Sequence, residues 1–308
     1  MVSVNKKKDR FGNTRKVKLF ILSLLAIPLL NFLIFTVYAN FGGIFLSFMQ
    51  FRNGNELWVG WENYQRFFRD FFSKDYAHSV WVSFMYLVIV GGISLPLSLL
   101  TAFFLYKKVP MAKFIVIFLY LPNIIPSAVM AEFYRRMWDA GGGVVSAGAF
   151  NQFFALFTGR EINWLTTPEY ANQALWIYTV WFGFGFNALL IWGAMTRVPE
   201  EVVEAAQLDG AGLFTEFFRI TIPVIWSTLS MVIVLTIMTP FQIYMQPLLI
   251  ANNGDYGTRT IALLAMQELK RPDAYFAATI NILIACVSVP TVLIVKKCTD
   301  KIFETVEV

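Results

Sequence analysis

Six stretches of this chain, at 19–38, 79–106, 114–131, 170–196, 220–254 and 274–295, contain no Asp, Glu, Lys or Arg. A bilayer has a hydrocarbon core about 30 Å thick, which roughly 20 apolar residues cross as a helix. In lipid, backbone N–H and C=O groups must be bonded within the segment or around a closed barrel. None of the six runs alternates polar with apolar residues as a barrel strand does. The expectation is an all-α integral membrane fold with six transmembrane helices. Composition agrees: 57% of residues are hydrophobic and 15% charged, where soluble domains have about 45–50% and 25%.

The chain is expected to divide into 1–78 (a basic tail, the first span and an external loop), a five-helix core at 79–296, and a tail at 297–308. The N-terminal tail carries Lys6, Lys7, Lys8, Arg10, Arg15, Lys16 and Lys18. A basic start before an apolar run also opens a signal peptide. The run is about 20 residues, long for a signal, and no small-x-small cleavage site follows, so it reads as a retained span. With six spans, the N-terminus, the 107–113 and 197–219 loops and the C-terminus share one face. That face holds 15 Lys and Arg against 10 on the other, which predicts both termini in the cytoplasm. The net charge of +5 then reflects an anionic leaflet, not nucleic acid.

The 197–219 loop runs against that trend, with Glu200, Glu201, Glu204, Asp209 and Glu216 against Arg197 and Arg219. Such a loop is a candidate docking surface for a basic partner. Pro199 suits a first helical turn, and Glu200 and Glu201 face the positive end of the helix dipole. Val202, Val203, Ala205 and Ala206 form one apolar side. Gly210 and Gly212 break the helix, and Leu213, Phe214, Phe217 and Phe218 form a second, bulkier face. The expectation is two short amphipathic helices joined by a glycine elbow between spans four and five.

The order Glu204-Ala205-Ala206, Gly210, Ile220, Ile222-Pro223 resembles the EAA loop of permease subunits in binding-protein-dependent ABC importers, which usually have Leu in place of Ile222. Trp58-Val59-Gly60-Trp61-Glu62-Asn63-Tyr64 is similar to the stretch before the second helix of the sugar-importer permeases. Gly141-Gly142-Gly143, Asn151 and Trp164-Leu165 also fit that branch. Ala251-Asn252-Asn253-Gly254-Asp255 departs from its usual T-x-G-G-P.

The resemblance implies a second, non-identical permease subunit, two cytoplasmic ATPase subunits and an extracytoplasmic solute-binding protein in a prokaryotic inner membrane. It implies ATP and Mg²⁺ on the ATPases and no cofactor in this chain. Glu204, Ala205, Ala206, Asp209, Gly210, Phe214 and Phe217 are the implied coupling residues, and a sugar is the implied solute.

The residues exclude several rivals. No G-x-x-x-x-G-K-[ST] loop occurs, so the chain has no phosphate cradle of that kind. His78 is the one histidine and cannot build a zinc site; it reads as interfacial. Cys286 and Cys298 match no metal or disulfide pattern and read as small packing residues. Glu132 has Arg135 and Arg136 beside it and reads as a helix-end ion pair. A secondary transporter, the main alternative, usually needs an intramembrane carboxylate; a membrane enzyme needs a reactive cluster. What the spans do carry is aromatic and amide chemistry at Trp181, Asn187, Gln242 and Tyr244, suited to a neutral polar solute. The competing role for each is helix–helix contact, and Gly91, Gly92, Gly183 and Gly185 are expected to permit close approach.

Overall fold

The computed structural model describes residues 14–52, 54–72, 76–141, 147–271 and 274–302. The basic residues from Lys6 to Arg10, Lys74, Gly142 and Gly143 lie outside the described residues. The described chain is mostly helical. Its helices are α1 (Val17–Leu46), α2 (Glu62–Asp70), α3 (Tyr76–Tyr106), α4 (Phe114–Ile124), α5 (Ser127–Trp138), α6 (Ala149–Thr158) and α7 (Pro168–Met195). They continue with α8 (Glu200–Leu208), α9 (Leu213–Val224), α10 (Trp226–Phe241), α11 (Met245–Leu249), α12 (Ile261–Leu269) and α13 (Tyr275–Thr299).

Helices α1, α3, α7 and α13 are each long and apolar enough to cross a membrane. The third and fifth predicted spans are not straight. Helix α4 stops at Ile124, and Ile125 is extended (φ −83°, ψ 137°) because the ring of Pro126 disfavours helical backbone in the residue before it. Helix α5 leaves at 104° to α4. The 220–254 run is likewise cut: α9 and α10 meet at 81°, around Ile225 (φ −89°, ψ 5°), two residues after Pro223. The count is four spans, or six if each bent pair makes one.

A second correction is a small antiparallel hairpin, β1 (Met49–Arg52) with β2 (Asn55–Trp58), in a chain expected to be all helix. It explains the tryptophan-rich motif. Asn63 is fully buried and its amide donates to the Ser47 and Met49 carbonyls at 3.0 and 2.8 Å, while Gln50 donates to its oxygen at 2.6 Å. Tyr64 shares a hydroxyl hydrogen bond with Ser47, and Trp58 and Trp61 pack on Phe48. Asn63 is thus a clamp between the end of α1, the hairpin and α2.

The helices gather into two ends. At one, Tyr134, Trp138, Tyr178, Leu165 and Ile250 share a core, and Asn151 ties three strands of chain together. Its amide donates to the carbonyls of Ile162, Asp139 and Trp138, and its oxygen accepts from Ile162 N–H. At the other end, Phe103, Ile191, Met195, Val203, Phe217 and Trp226 form a second core. Trp226 donates its indole N–H to the Thr299 carbonyl there, at the last residue of α13. Between the ends, α4 and α7 approach so closely that a Cβ on Gly185 would sit 2.1 Å from the Leu119 carbonyl oxygen. Gly183 and Gly92 meet nothing within 4 Å, so the expected close approach holds at Gly185 and not at those two. Cys286 and Cys298 are exposed, contrary to the expectation of packing residues. The apolar stretch of α1 is not covered by the rest of the chain.

Candidate functional site

The 197–219 loop folds as the sequence predicts, into α8, a glycine elbow and α9. The elbow closes α8 by a paired hydrogen-bond cap: Ala211 N–H reaches the Ala206 carbonyl at 2.9 Å and Gly210 N–H the Gln207 carbonyl at 3.0 Å. That geometry puts the residue after the cap in the left-handed region, and Gly210 has φ +82°. Space is not the constraint, since a Cβ on Gly210 would meet nothing within 4 Å.

The loop is seated by its acids and one aromatic ring. Glu216, 1% exposed, receives Lys107 from the end of α3 at 2.5 and 2.6 Å, and Gln207 of α8 at 3.5 Å. Lys107 also lies over the rings of Phe103 and Tyr106. Lys108 meets Glu200 at 3.3 Å, on the surface. Two of the five acids therefore bind this chain's own lysines. Glu201, Glu204 and Asp209 are exposed and form no ion pair among the described residues.

Glu204, Ala205, Asp209 and Gly210 face outward and Ala206 is half-buried. Phe214 is 81% and Leu208 89% exposed. Phe217 turns inward: its ring centroid is 4.7 Å from that of Phe103, in the core with Ile191 and Met195. It therefore seats the loop on the chain's own core. The apolar side expected of α8 also divides, with Val203 buried and Val202 and Ala205 exposed. Sequence reasoning missed Lys107 and Gln207 and gave Glu216 no separate role. The available signal was a single acid set among Phe214, Phe217 and Phe218.

The proposed solute-path residues are distributed differently. Trp181 packs beside Tyr134 and Tyr178, at 6.3 and 6.2 Å, against the core that holds Ile243. Gln242 and Tyr244 flank Ile243 and are exposed. Asn187 is half-buried further along α7, outside that cluster. Asn123 donates to the Phe182 carbonyl at 3.1 Å, tying the end of α4 to α7. Glu132 pairs with both Arg135 and Arg136, at 2.8 and 2.9 Å, as expected. No cluster of metal-binding side chains occurs among the described residues.

Long apolar helices, two of them broken, with polar chemistry gathered at their ends, define a polytopic helical membrane protein. The model of the binding-protein-dependent transport system inner membrane component family matches residues 94–296, and the chain belongs to that family. It is 26% identical over 297 residues to the alpha-glucoside transport system permease protein AglF of Rhizobium meliloti (strain 1021), covering 94% of this chain and 84% of the relative. It is 30% identical over 236 residues to the osmoprotective compounds uptake permease protein GgtC of Synechocystis sp., covering 73% and 79%. It also resembles the trehalose/maltose transport system permease protein MalF of Thermococcus litoralis, at 27% over 226 residues, covering 73% and 74%. In fold it matches a chain of a bacterial ABC transporter involved in import of the acidic polysaccharide alginate, with TM-score 0.80, 20% identity, and coverage of 93% of this chain and 97% of that one.

Proposed function

We propose that this chain is one of two transmembrane subunits of an ATP-driven importer of a neutral saccharide, and that α8 and its elbow are the contact with the ATPases. The observation that carries the coupling role is an outward row of Glu204, Leu208 and Phe214 on a loop whose other side is fixed by Lys107–Glu216 and Phe217–Phe103. A lever must be held on one side and offered on the other. The apolar knobs fit a groove on a partner, and the exposed acids favour a basic rim. ATP and Mg²⁺ belong to the partner ATPases in this reading.

The six-span arrangement follows if each bent pair counts once. With six spans the Lys107–Glu216 end and both termini share one face, and the basic-residue bias favours the cytoplasm for it. The opposite end then receives a solute-binding protein. A saccharide is supported by the names of the relatives AglF and MalF and by the uncharged aromatic and amide chemistry of the spans. The test is reconstitution with a second permease, two ATPases and a binding protein, read as saccharide-dependent stimulation of ATP hydrolysis. Uptake by this chain alone, driven by an ion gradient, would instead establish a secondary transporter.

A further inference from the structure

A polar cleft of about 500 Å³ opens at the end of the helices away from the Lys107–Glu216 pair. Its lining includes Asp139, Asn163, Trp164, Thr166, Asn252 and Tyr256. From these residues we infer that the cleft is a saccharide-binding site at the outer mouth of the path, distinct from the mid-membrane residues Trp181, Asn187 and Gln242. The inference rests on the importer reading above and adds to it a place where the solute is held.

The walls are built, not incidental. One is fixed by Asn151, which holds the Asp139 and Ile162 backbones and so positions Asp139, Asn163 and Trp164. The opposite wall is the 252–257 loop. There Asn252, Asn253, Gly254, Tyr256 and Gly257 all have φ between +46° and +84°. Residues with side chains rarely adopt that region, and surrounding contacts must hold them in it. The contacts are present: His78 Nε2 and the Asn172 amide both lie 3.0 Å from the Gly257 carbonyl oxygen, and Gln267 donates to the Asn253 carbonyl at 2.7 Å. A carbonyl only accepts, so His78 carries its proton on Nε2. This fixed loop is also where the chain departs from T-x-G-G-P.

The chemistry favours a neutral saccharide. Trp164, packed on Trp138, Phe154 and Tyr170, lines the cleft with the part of its indole they leave open, an aromatic surface on which sugar C–H faces stack. The Asn163 amide and the Tyr256 and Thr166 hydroxyls form no hydrogen bond among the described residues, leaving donors and acceptors for sugar hydroxyls. Glu132 and Arg135 on the rim neutralise each other at 2.8 Å. Arg136 is a second cation on Glu132, at 2.9 Å, and offsets Asp139, so this mouth carries no net charge to draw a uronate. The volume lies within the range of about 300–1,000 Å³ typical of small-molecule sites. A protein loop from the binding protein is the competing occupant, and stable protein contacts need about 800 Å² on each partner.

The test uses the assembled transporter in nanodiscs, with maltotriose, arabinotriose and trehalose as probes. ATP hydrolysis with binding protein first identifies which probe is a substrate. Saturation-transfer NMR then measures that probe on the complex without binding protein. Asn163→Ala and Trp164→Phe, both near the surface, are each expected to weaken it about five-fold, with binding-protein retention unchanged. Equal probe binding in wild type and both variants, or no probe binding to a complex that the probe stimulates, overturns the cleft and leaves the importer reading standing. Loss of binding-protein retention in both variants assigns the cleft to protein docking and also overturns it. Failure of all three probes to stimulate the wild-type complex removes the saccharide reading and the cleft with it.

Discussion

Lys107 Nζ stands 2.5 Å from Glu216 Oε1 and 2.6 Å from Oε2, although 109 positions separate the two residues in the chain. This pair ties the end of α3 to the first turns of α9, and Gln207 extends the tie to α8. The three helices α3, α8 and α9 are thus joined by side chains at Glu216, without α10 between them.

Removing the lysine leaves a carboxylate among aromatic rings. Breaking a fully buried pair costs about 3–5 kcal/mol; Lys107 is partly exposed, so about 2 kcal/mol is expected for Lys107→Met. The double variant Lys107→Met with Glu216→Met recovers most of that stability, because both charges are gone, but it loses the tie. Thermal unfolding in detergent measures the first effect and stimulated ATP hydrolysis the second. A single variant as stable as the wild type would show that the pair holds nothing.

Gly210→Ala tests the elbow alone. The added methyl has open space, so the cost is the left-handed backbone, about 1–2 kcal/mol for a residue with a Cβ. Expression and folding should survive while the stimulation of ATP hydrolysis falls. Glu204→Lys changes charge without touching the elbow, and should weaken retention of the ATPase subunits on affinity purification. Wild-type stimulation in the first variant and retention in the second would remove the coupling role from α8.

Sidedness is open to labelling. Thr166 and Thr215 are both exposed, at opposite ends of the helices. In intact cells an impermeant thiol reagent should modify Thr166→Cys and spare Thr215→Cys, provided the exposed native Cys286 and Cys298 are first replaced by serine. The reverse pattern would invert the chain in the membrane.

Trp181 and Gln242 now separate. Trp181→Ala removes a ring from a packed core and should cost about 3 kcal/mol of stability. Gln242→Ala, at an exposed position, should leave the unfolding temperature unchanged. A role in the solute path is then read for Gln242 from transport rate at equal assembly, and for Trp181 from the milder Trp181→Phe.

Asn63→Ala leaves the Met49 carbonyl and the Gln50 amide short of a partner in a dry setting, while the Ser47 carbonyl keeps the Thr279 hydroxyl at 3.0 Å. The expected loss is about 2–3 kcal/mol, since unmet buried groups keep their desolvation cost. Limited proteolysis between α1 and α2 reads it directly. Unchanged cleavage would mean that the hairpin is held by Phe48 and its aromatic neighbours.

The apolar runs were legible because lipid offers a backbone no partner, which forces long uncharged segments into the sequence. The α8 elbow was legible because its cap needs glycine at one position. The break before Pro126 was also written there, in the residue-before-proline rule, but the continuing apolar run past it read as one helix. The hairpin carried only a short signal, the Asn53–Gly54 pair between two four-residue strands, beneath a strong helical background. Lys107–Glu216 could not be read at all, since nothing local to either residue names the other. The same holds for the cleft, whose walls come from 132–140, 163–166 and 248–256.

The turn at Pro126 has an electrical consequence. Helix α4 has 11 residues and so spans about 16 Å, near half the hydrocarbon thickness. Beyond Ile124 the chain no longer runs across the bilayer as a sealed helix, and Pro126 has no N–H to give. Hydrocarbon cannot satisfy such a turn, and the contacts of Asn123 with Phe182 and of Ser127 with Met245 cover only part of it, so water or a neighbouring subunit must complete it. In the proposed importer, a membrane holding this chain without a second permease should therefore pass small ions that the complete complex blocks.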